Sequence, residues 1–513
     1  MTLLNIQPRE YQTAIFETTK KGNSLVVLPT GLGKTLIALL LTIHRLKEHP
    51  TQKILFLAPT RPLVEQHYDY FKKHLSELFA DLQLFTGEIS AETRKKIWQT
   101  SEVIFSTPQC IANDLTKCLY KLDNTSLLII DEAHRCLKNY DYTKVVKYYK
   151  SQAQHIRILG LTASPGQEPE KVRQICEHLD IEEIEIRSRD SLDVKSFLQH
   201  LEFQKREVEF PKEFIEIKIL LKRIYDSKVE KLQKRNLLHE PANKITLLKL
   251  QARLASQISS NNFHAMIGMS LTATAIKISH AIELLETQTL SGLNEYFKNL
   301  KDQSAQKKSK AVQTLVSSPE FQAADLSLQN LLKNKIEHPK IEELVKVIQE
   351  EFKDEKKSKI IIFTQFRETA TTIKKRLESI PELKPEVFVG QAKKAGSGLS
   401  QKEQKAIIEK FRENTINTLI CTSIGEEGLD IPEVSAVIFY EPIPSAIRKI
   451  QRAGRTARLA PGKLFILITL NTRDQINYFA SNAREKKMYK TLDNIKEQMK
   501  KRNMNLDNFK NKS

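Results

Sequence analysis

The chain has 513 residues, 40% of them apolar, and carries 81 Lys and Arg against 62 Asp and Glu, a net charge of +19. That length suits roughly three domains with real cores, and the positive excess points to a polyanion such as nucleic acid. The five cysteines (Cys110, Cys118, Cys136, Cys176 and Cys421) form no C-x-x-C pair, which argues against a metal ribbon or a disulfide frame and for reduced, mostly buried thiols. No N-terminal apolar run resembles a signal peptide and no stretch reads as ~18 continuous apolar residues. The expected setting is therefore cytoplasmic, with no membrane partner.

In chain order, Pro8-Arg9-Glu10-Tyr11-Gln12 comes first. The Gln12 amide presents both a donor and an acceptor, as an adenine edge requires. A buried strand is predicted at Ser24–Leu28, followed by Pro29-Thr30-Gly31-Leu32-Gly33-Lys34-Thr35 and an apolar helix over Thr35–Leu46. Gly31 and Gly33 allow the backbone N–H groups to curl around phosphate oxygens. The helix N-terminus adds positive potential. Lys34 reaches the β- and γ-phosphates of ATP, and the Thr35 hydroxyl is placed to ligate Mg²⁺. Leu28 stands where the general P-loop pattern has its first Gly.

Further short apolar runs at Lys53–Ala58, Leu82–Phe85, Val103–Ser106, Leu127–Ile130 and Ile156–Leu161 alternate with helical patterns, which predicts a parallel sheet covered on both faces. Ligands of such sheets bind at the strands' carboxyl ends, and the polar motifs fall there. Asp131-Glu132-Ala133-His134 follows Leu127–Ile130, with Asp131 suited to hold Mg²⁺ and Glu132 to polarise the attacking water. Thr60-Arg61 and Thr107 end two other strands and suit the phosphates of a bound strand. Leu161-Thr162-Ala163-Ser164-Pro165-Gly166 ends a further one, with Thr162 and Ser164 suited to couple the two sites. Trp98, the only tryptophan, is expected to pack on a helix.

From Lys212 to Ser318 the texture becomes helical, with apolar residues at Ile217, Leu221, Ile224, then Leu247, Leu250, Leu254, Ile258, then Ile278, Ile282 and Leu285. Basic residues crowd Lys222–Arg235 and Lys301–Lys310, the latter read as a mobile connection. Strand and helix alternation returns after residue 336, with strands expected at Lys359–Phe363, Glu386–Val389, Thr418–Thr422, Ala436–Tyr440 and Leu464–Leu470. No second P-loop follows. The second half instead carries Thr422 to Pro432 (TSIGEEGLDIP) and Gln451 to Arg458 (QRAGRTAR), whose arginines suit a γ-phosphate reached from across a cleft. The expected fold is α/β: two RecA-like parallel-sheet lobes, 1–200 and 336–480, with an all-helical insertion at 201–335. A basic tail at 481–513, ten Lys/Arg against four Asp/Glu with little apolar surface, is expected to run from helix into disorder.

With these motifs in order, the chain resembles a superfamily 2 DEAH-box helicase, and more narrowly the archaeal Hef helicases and their eukaryotic relative FANCM. PTGLGKT, APTRPLVEQH, DEAH, LTASPG, IIFTQFRETA, TSIGEEGLDIPEV and FYEPIPSAIRKIQRAGRT carry the likeness over roughly residues 1–490. The resemblance implies ATP-driven 3′→5′ movement on DNA with a preference for forks and branches, in repair and replication-fork processing. The insertion then resembles a thumb that grips branched DNA. It implies adenine contacts from Arg9 and Gln12. Phosphate and Mg²⁺ contacts come from Thr30, Gly31, Gly33, Lys34, Thr35 and Asp131. Glu132 is the base, Asp430 joins the nucleotide site, and Gln451, Arg455 and Arg458 close on the γ-phosphate. Thr60, Arg61, Thr107, Thr364 and Thr422 follow the DNA backbone. Ala453 and Ala457 replace the family's Arg and Gly. No nuclease motif follows, so a separate nuclease or sliding-clamp partner is implied, with a monomer expected. A duplex-RNA ATPase of the RIG-I and Dicer kind, and a non-catalytic nucleic-acid clamp, are the alternative readings.

Overall fold

The computed structural model describes residues 6–75, 79–138, 140–166, 168–189, 191–197, 200–258, 262–354, 358–390, 398–422, 431–445, 448, 452–453, 456 and 461–510, the last twelve of these as backbone only. Its strands are β1 Ser24–Val27, β2 Lys53–Leu57, β3 Leu82–Phe85, β4 Val103–Ser106, β5 Thr125–Ile130, β6 Ile158–Thr162, β7 Glu183–Ile186, β8 Leu201–Val208, β9 Ile360–Phe363, β10 Pro385–Phe388, β11 Thr418–Cys421, β12 Ala436–Phe439 and β13 Gly462–Thr469. They form two sheets, ordered β3-β4-β2-β5-β6-β1-β7 and β10-β11-β9-β12-β13-β8. Every pairing among the strands is parallel. The two-lobed α/β architecture is as the alternation of apolar runs and helical patterns requires. Central strands such as Ser24–Val27 and Ile360–Phe363 are buried at every residue, because helices cover both faces of a parallel sheet.

Three stretches differ from the sequence reading. Residue 201 does not open the helical insertion. Leu201–Val208 pairs with Gly462–Thr469 and forms the edge of the second sheet. The chain thus enters the second sheet before the insertion and completes it afterwards. This strand reads LEFQKREV and alternates partly buried with exposed residues, as an edge strand does, so a search for continuous apolar runs passes over it. The Lys301–Lys310 run is also not a free connection, since its first half ends the helix Leu290–Ala305 and Lys310 opens another helix.

A third correction is at the C-terminal end. Arg473–Lys510 is one helix. Met488, Leu492 and Ile495 on it are buried in the core of the first lobe, with Val172, Ile175, Cys176 and Ile184. Lys496 adds a contact to Glu185. The helix leaves β13 of the second lobe and docks on the first, so this stretch is a strap with a sparse apolar face. Its root is pinned as well. Lys340 and Asp474 form an ion pair at 2.7 Å, both side chains almost wholly buried. Lys340 Nζ also donates to the carbonyls of Thr287 and Tyr440. Insertion, second lobe and strap therefore meet at one ammonium group.

The insertion packs around Phe263–Thr287, a 25-residue helix. By length and composition this helix alone among the described residues is apolar enough to cross a membrane, and half of its apolar window is buried inside the fold. Gly268 explains one close approach, because a Cβ there would lie 2.6 Å from Leu237 and 3.1 Å from Leu254. Trp98 is buried on its helix and stacks on Tyr120 at 4.1 Å.

Candidate ATP site and nucleic-acid rim

The carboxyl ends of β1, β5 and β6 converge on the P-loop. Gly31 and Gly33 have φ of +84° and +76°, and Gly33 heads the helix Lys34–Glu48. A side chain at Gly33 would be strained on φ and would also strike Gln12 Nε2 at 2.3 Å. Lys34 Nζ donates to the carbonyl of Leu28 at 2.9 Å, so the ammonium lies over the loop it serves. Asp131 follows β5, its N–H bonded to the Leu57 carbonyl, and the Tyr142 hydroxyl donates to the Asp131 carbonyl at 2.7 Å.

His67 joins the two motifs. Its Nε2 lies 2.9 Å from Asp131 Oδ2 and its Nδ1 lies 3.4 Å from Thr35 Oγ1. With the proton on Nε2, the ring donates to the carboxylate and accepts from the threonine. The two expected Mg²⁺ ligands thus share one imidazole bridge. Burial pushes the Asp131 carboxyl up, but His67, Lys34 and the Glu132 N–H outweigh it and hold the group below its ordinary range, so Asp131 is ionised. This constellation fits a metal-bound triphosphate: an anionic carboxylate and a hydroxyl joined through His67, with an ammonium and a glycine cradle on the same loop as the hydroxyl.

Glu132 sits at φ +50°, ψ +48°, a left-handed conformation that costs a non-glycine residue roughly 1 kcal/mol. Its Oε2 is buried without a hydrogen bond, yet lies 3.2 Å from His134 Nδ1. His134 Nδ1 in turn is 3.2 Å from Thr162 Oγ1. Thr162 Oγ1 donates to the Ser164 carbonyl, and Ser164 Oγ lies 2.7 Å from Met488 Sδ on the strap. A continuous line of polar contacts therefore runs from the expected base to the helix that ties the lobes together.

On the adenine side, Gln12 accepts from the Arg9 N–H at 2.9 Å and donates to the Leu32 carbonyl at 3.1 Å. The amide nitrogen therefore holds the P-loop turn, and the amide oxygen closes the start of its own helix. The Arg9 guanidinium lies over the Phe197 ring at 4.9 Å, and Tyr11 packs against the same ring. Neither Phe197 nor His67 was singled out from sequence. His67 is visible in the APTRPLVEQH motif, whereas nothing in the local pattern marks Phe197.

The expected nucleic-acid contacts divide. Thr60 and Thr107 head the helices Arg61–His74 and Pro108–Thr116, and neither side chain caps its own helix. The preceding strands β2 and β4 are neighbours, with Leu57 beside Ser106, so the two helix N-termini sit side by side on one rim. Such N-termini attract phosphate. Arg61 pairs with Glu65 at 2.7 Å and with Glu88, and Glu65 also meets Lys405 of the second lobe at 2.9 Å. In the second lobe Thr364 is fully buried and its hydroxyl bonds to Glu441 at 3.3 Å. Its N–H is taken by the Cys421 carbonyl, so this conformation leaves it no donor for a phosphate. Thr422 is buried as well. Asp430, Gln451, Arg455 and Arg458 lie outside the described residues.

Comparison with known proteins agrees with this geometry. The DEAD/DEAH box helicase family matches residues 9–172, and the Helicase conserved C-terminal domain matches residues 339–460. A family described as "Putative ATP-dependent RNA helicase, helical bundle" matches residues 213–338. The crystal structure of the Pyrococcus furiosus Hef helicase domain superposes with a TM-score of 0.72 and 40% identity, over 94% of this chain and 100% of that one. The ATP-dependent DNA helicase fml1 of Schizosaccharomyces pombe is 33% identical over 96% of this chain and 60% of its own length. The Methanocaldococcus jannaschii protein named "Putative ATP-dependent RNA helicase MJ1505" is 35% identical over 96% of this chain and 61% of its own. The chain thus spans about three fifths of the length of these two relatives. The match to the whole Hef helicase domain, together with the P-loop and DEAH geometry, settles the family: this chain belongs to the superfamily 2 DEAD/DEAH-box helicases of the Hef and FANCM type.

Proposed function

We propose that this chain is an ATP-driven 3′→5′ DNA translocase that acts on forked or branched DNA. The observation that carries the proposal is the pairing of one ATP half-site with two separate nucleic-acid faces. One face is the rim of uncapped helix N-termini at Thr60 and Thr107, which suits a single strand. The other is the insertion, whose outer part, residues 227–274, holds seven Lys and Arg against two Glu. A fork is the substrate that offers a strand to one and a duplex to the other.

In this reading Lys34 exchanges its carbonyl partners for the β- and γ-phosphate oxygens of ATP, and Thr35 with Asp131 holds Mg²⁺. The metal supplies charge neutralisation at those oxygens. Glu132, buried and held near His134, orients the attacking water. Arg455 and Arg458, with Gln451, complete the site from the second lobe, so hydrolysis is coupled to lobe closure. The line from Glu132 through His134, Thr162 and Ser164 to Met488 gives closure a mechanical readout in the strap. Contacts of this kind go to phosphates, so binding tolerates sequence and weakens steeply with salt.

The test is strand displacement on a fork bearing a single 3′ arm, a single 5′ arm, or both. Displacement that requires the 3′ arm and ATP supports the reading. Displacement dependent on the 5′ arm reverses the direction, and displacement of neither reduces the chain to a clamp.

A further inference from the structure

The outer end of the insertion carries an exposed apolar tip inside a basic collar. Phe263 is 73% exposed, Met266 51% and Ile258 38%. Asn262 caps the helix that begins at Phe263, its side chain accepting from the N–H groups of His264 and Ala265. Leu237, Leu254 and Gly268 meet there at contact distance, and Arg253 donates to the Leu237 carbonyl. The helix Ile215–Lys234 ends against the same region, and Lys231, Lys234, Arg235 and Arg253 around it are exposed. The long helix projects this tip about 37 Å, at 1.5 Å per residue, from its root.

We propose that this tip is a stacking platform for the base pair exposed at a duplex junction, with the Phe263 ring on the base face and Met266 and Ile258 beside it. The inference rests on the fork reading above and assigns it a residue. Two arguments favour nucleic acid as the occupant. Phosphates flank an open base face, and the exposed cations Lys231, Lys234 (paired with Glu230), Arg235 and Arg253 stand on the two helices that pack against this one. A π-face is the one apolar surface that DNA offers without sequence preference, and it is exposed where a duplex opens.

The experiment uses the full chain with three forms: wild type, Phe263→Ala and Phe263→Trp. A fork with 2-aminopurine in the pair next to the junction reports stacking by fluorescence, and fork affinity, single-strand affinity and single-strand-stimulated ATP hydrolysis are measured alongside. The expected result is that wild type perturbs the junction fluorescence. Phe263→Ala loses that response and about tenfold in fork affinity, in the range of one base–aromatic stack, while single-strand affinity and ATP hydrolysis are unchanged. Phe263→Trp restores both. Retention of fork affinity and fluorescence response by Phe263→Ala overturns the proposal and leaves the tip to a protein partner. An equal loss on fork and single strand also overturns it. Absence of any fork preference in wild type alone overturns the fork reading and this proposal together, so the two failures are read from different proteins.

Discussion

At the carboxyl ends of β1 and β5 the first lobe keeps glycines at positive φ, an ionised Asp131, and Lys34 resting over backbone carbonyls. At the corresponding ends of β9 and β12 the second lobe buries Thr364, Glu441 and Arg452, the last stacked over Phe363 at 4.8 Å. The same parallel sheet is used in two ways. The first lobe leaves its strand tips open, strained and charged, which is what binding a triphosphate needs. The second buries the tips of β9 and β12 under the root of the insertion and the start of the strap, where Lys340 and Asp474 join three elements. Among the described residues, the first lobe presents the phosphate- and metal-binding groups, and the second holds the connection to insertion and strap.

Three substitutions break or sharpen this contrast, in order of expected effect. Lys34→Ala should lower ATP hydrolysis by at least about a hundredfold, the scale of losing one charge-stabilising group. DNA binding, measured by fluorescence anisotropy, should change little, because the rim and the insertion do not use Lys34. Lys340→Met should leave Asp474 buried without its partner. Burial already pushes the Asp474 carboxyl up in spite of Lys340. Loss of one member of a buried pair costs about 3–5 kcal/mol, so thermal unfolding should show the second lobe and insertion melting earlier, while ATP binding by the first lobe persists at low temperature.

The third concerns pH. Burial pushes the Glu441 carboxyl up to about 7. An acid whose pKa is raised on folding favours the fold while it stays protonated. That contribution is complete below its ordinary pKa of 4.5 and is lost as pH rises through about 7. Glu441→Gln, which keeps a polar partner for Thr364 without the charge, should therefore match wild type near pH 5. It should be more stable near pH 8, by at most about 3 kcal/mol at 1.36 kcal/mol per pKa unit. Melting curves at the two pH values check this, and equal gains at both would place the proton elsewhere.

Much of the first lobe was legible in the sequence because its chemistry is local. A strand, a glycine turn and a helix lie within a dozen residues around Lys34, and Asp131-Glu132 follows its strand directly. His67 was in plain view in its motif, but its bridge between Thr35 and Asp131 exists only once β2 and β5 are neighbours. Phe197 reaches Arg9 and Tyr11 from far along the chain, and no periodicity announces that. Leu201–Val208 was missed because an edge strand alternates, and the strap because Met488, Leu492 and Ile495 are three apolar residues among many lysines. Thr364 is assigned to the DNA backbone by the family resemblance alone. Its burial against Glu441 depends on an insertion closing over the tip, which a strand pattern does not contain.

The most direct test of the account is the steady-state rate of ATP hydrolysis with forked DNA, single-stranded DNA, blunt duplex DNA and duplex RNA, each at low and high salt. The account predicts the highest rate with the fork, a lower rate with the single strand, and stimulation that fades as salt rises. The highest rate with duplex RNA, or no stimulation by any of the four, would contradict it.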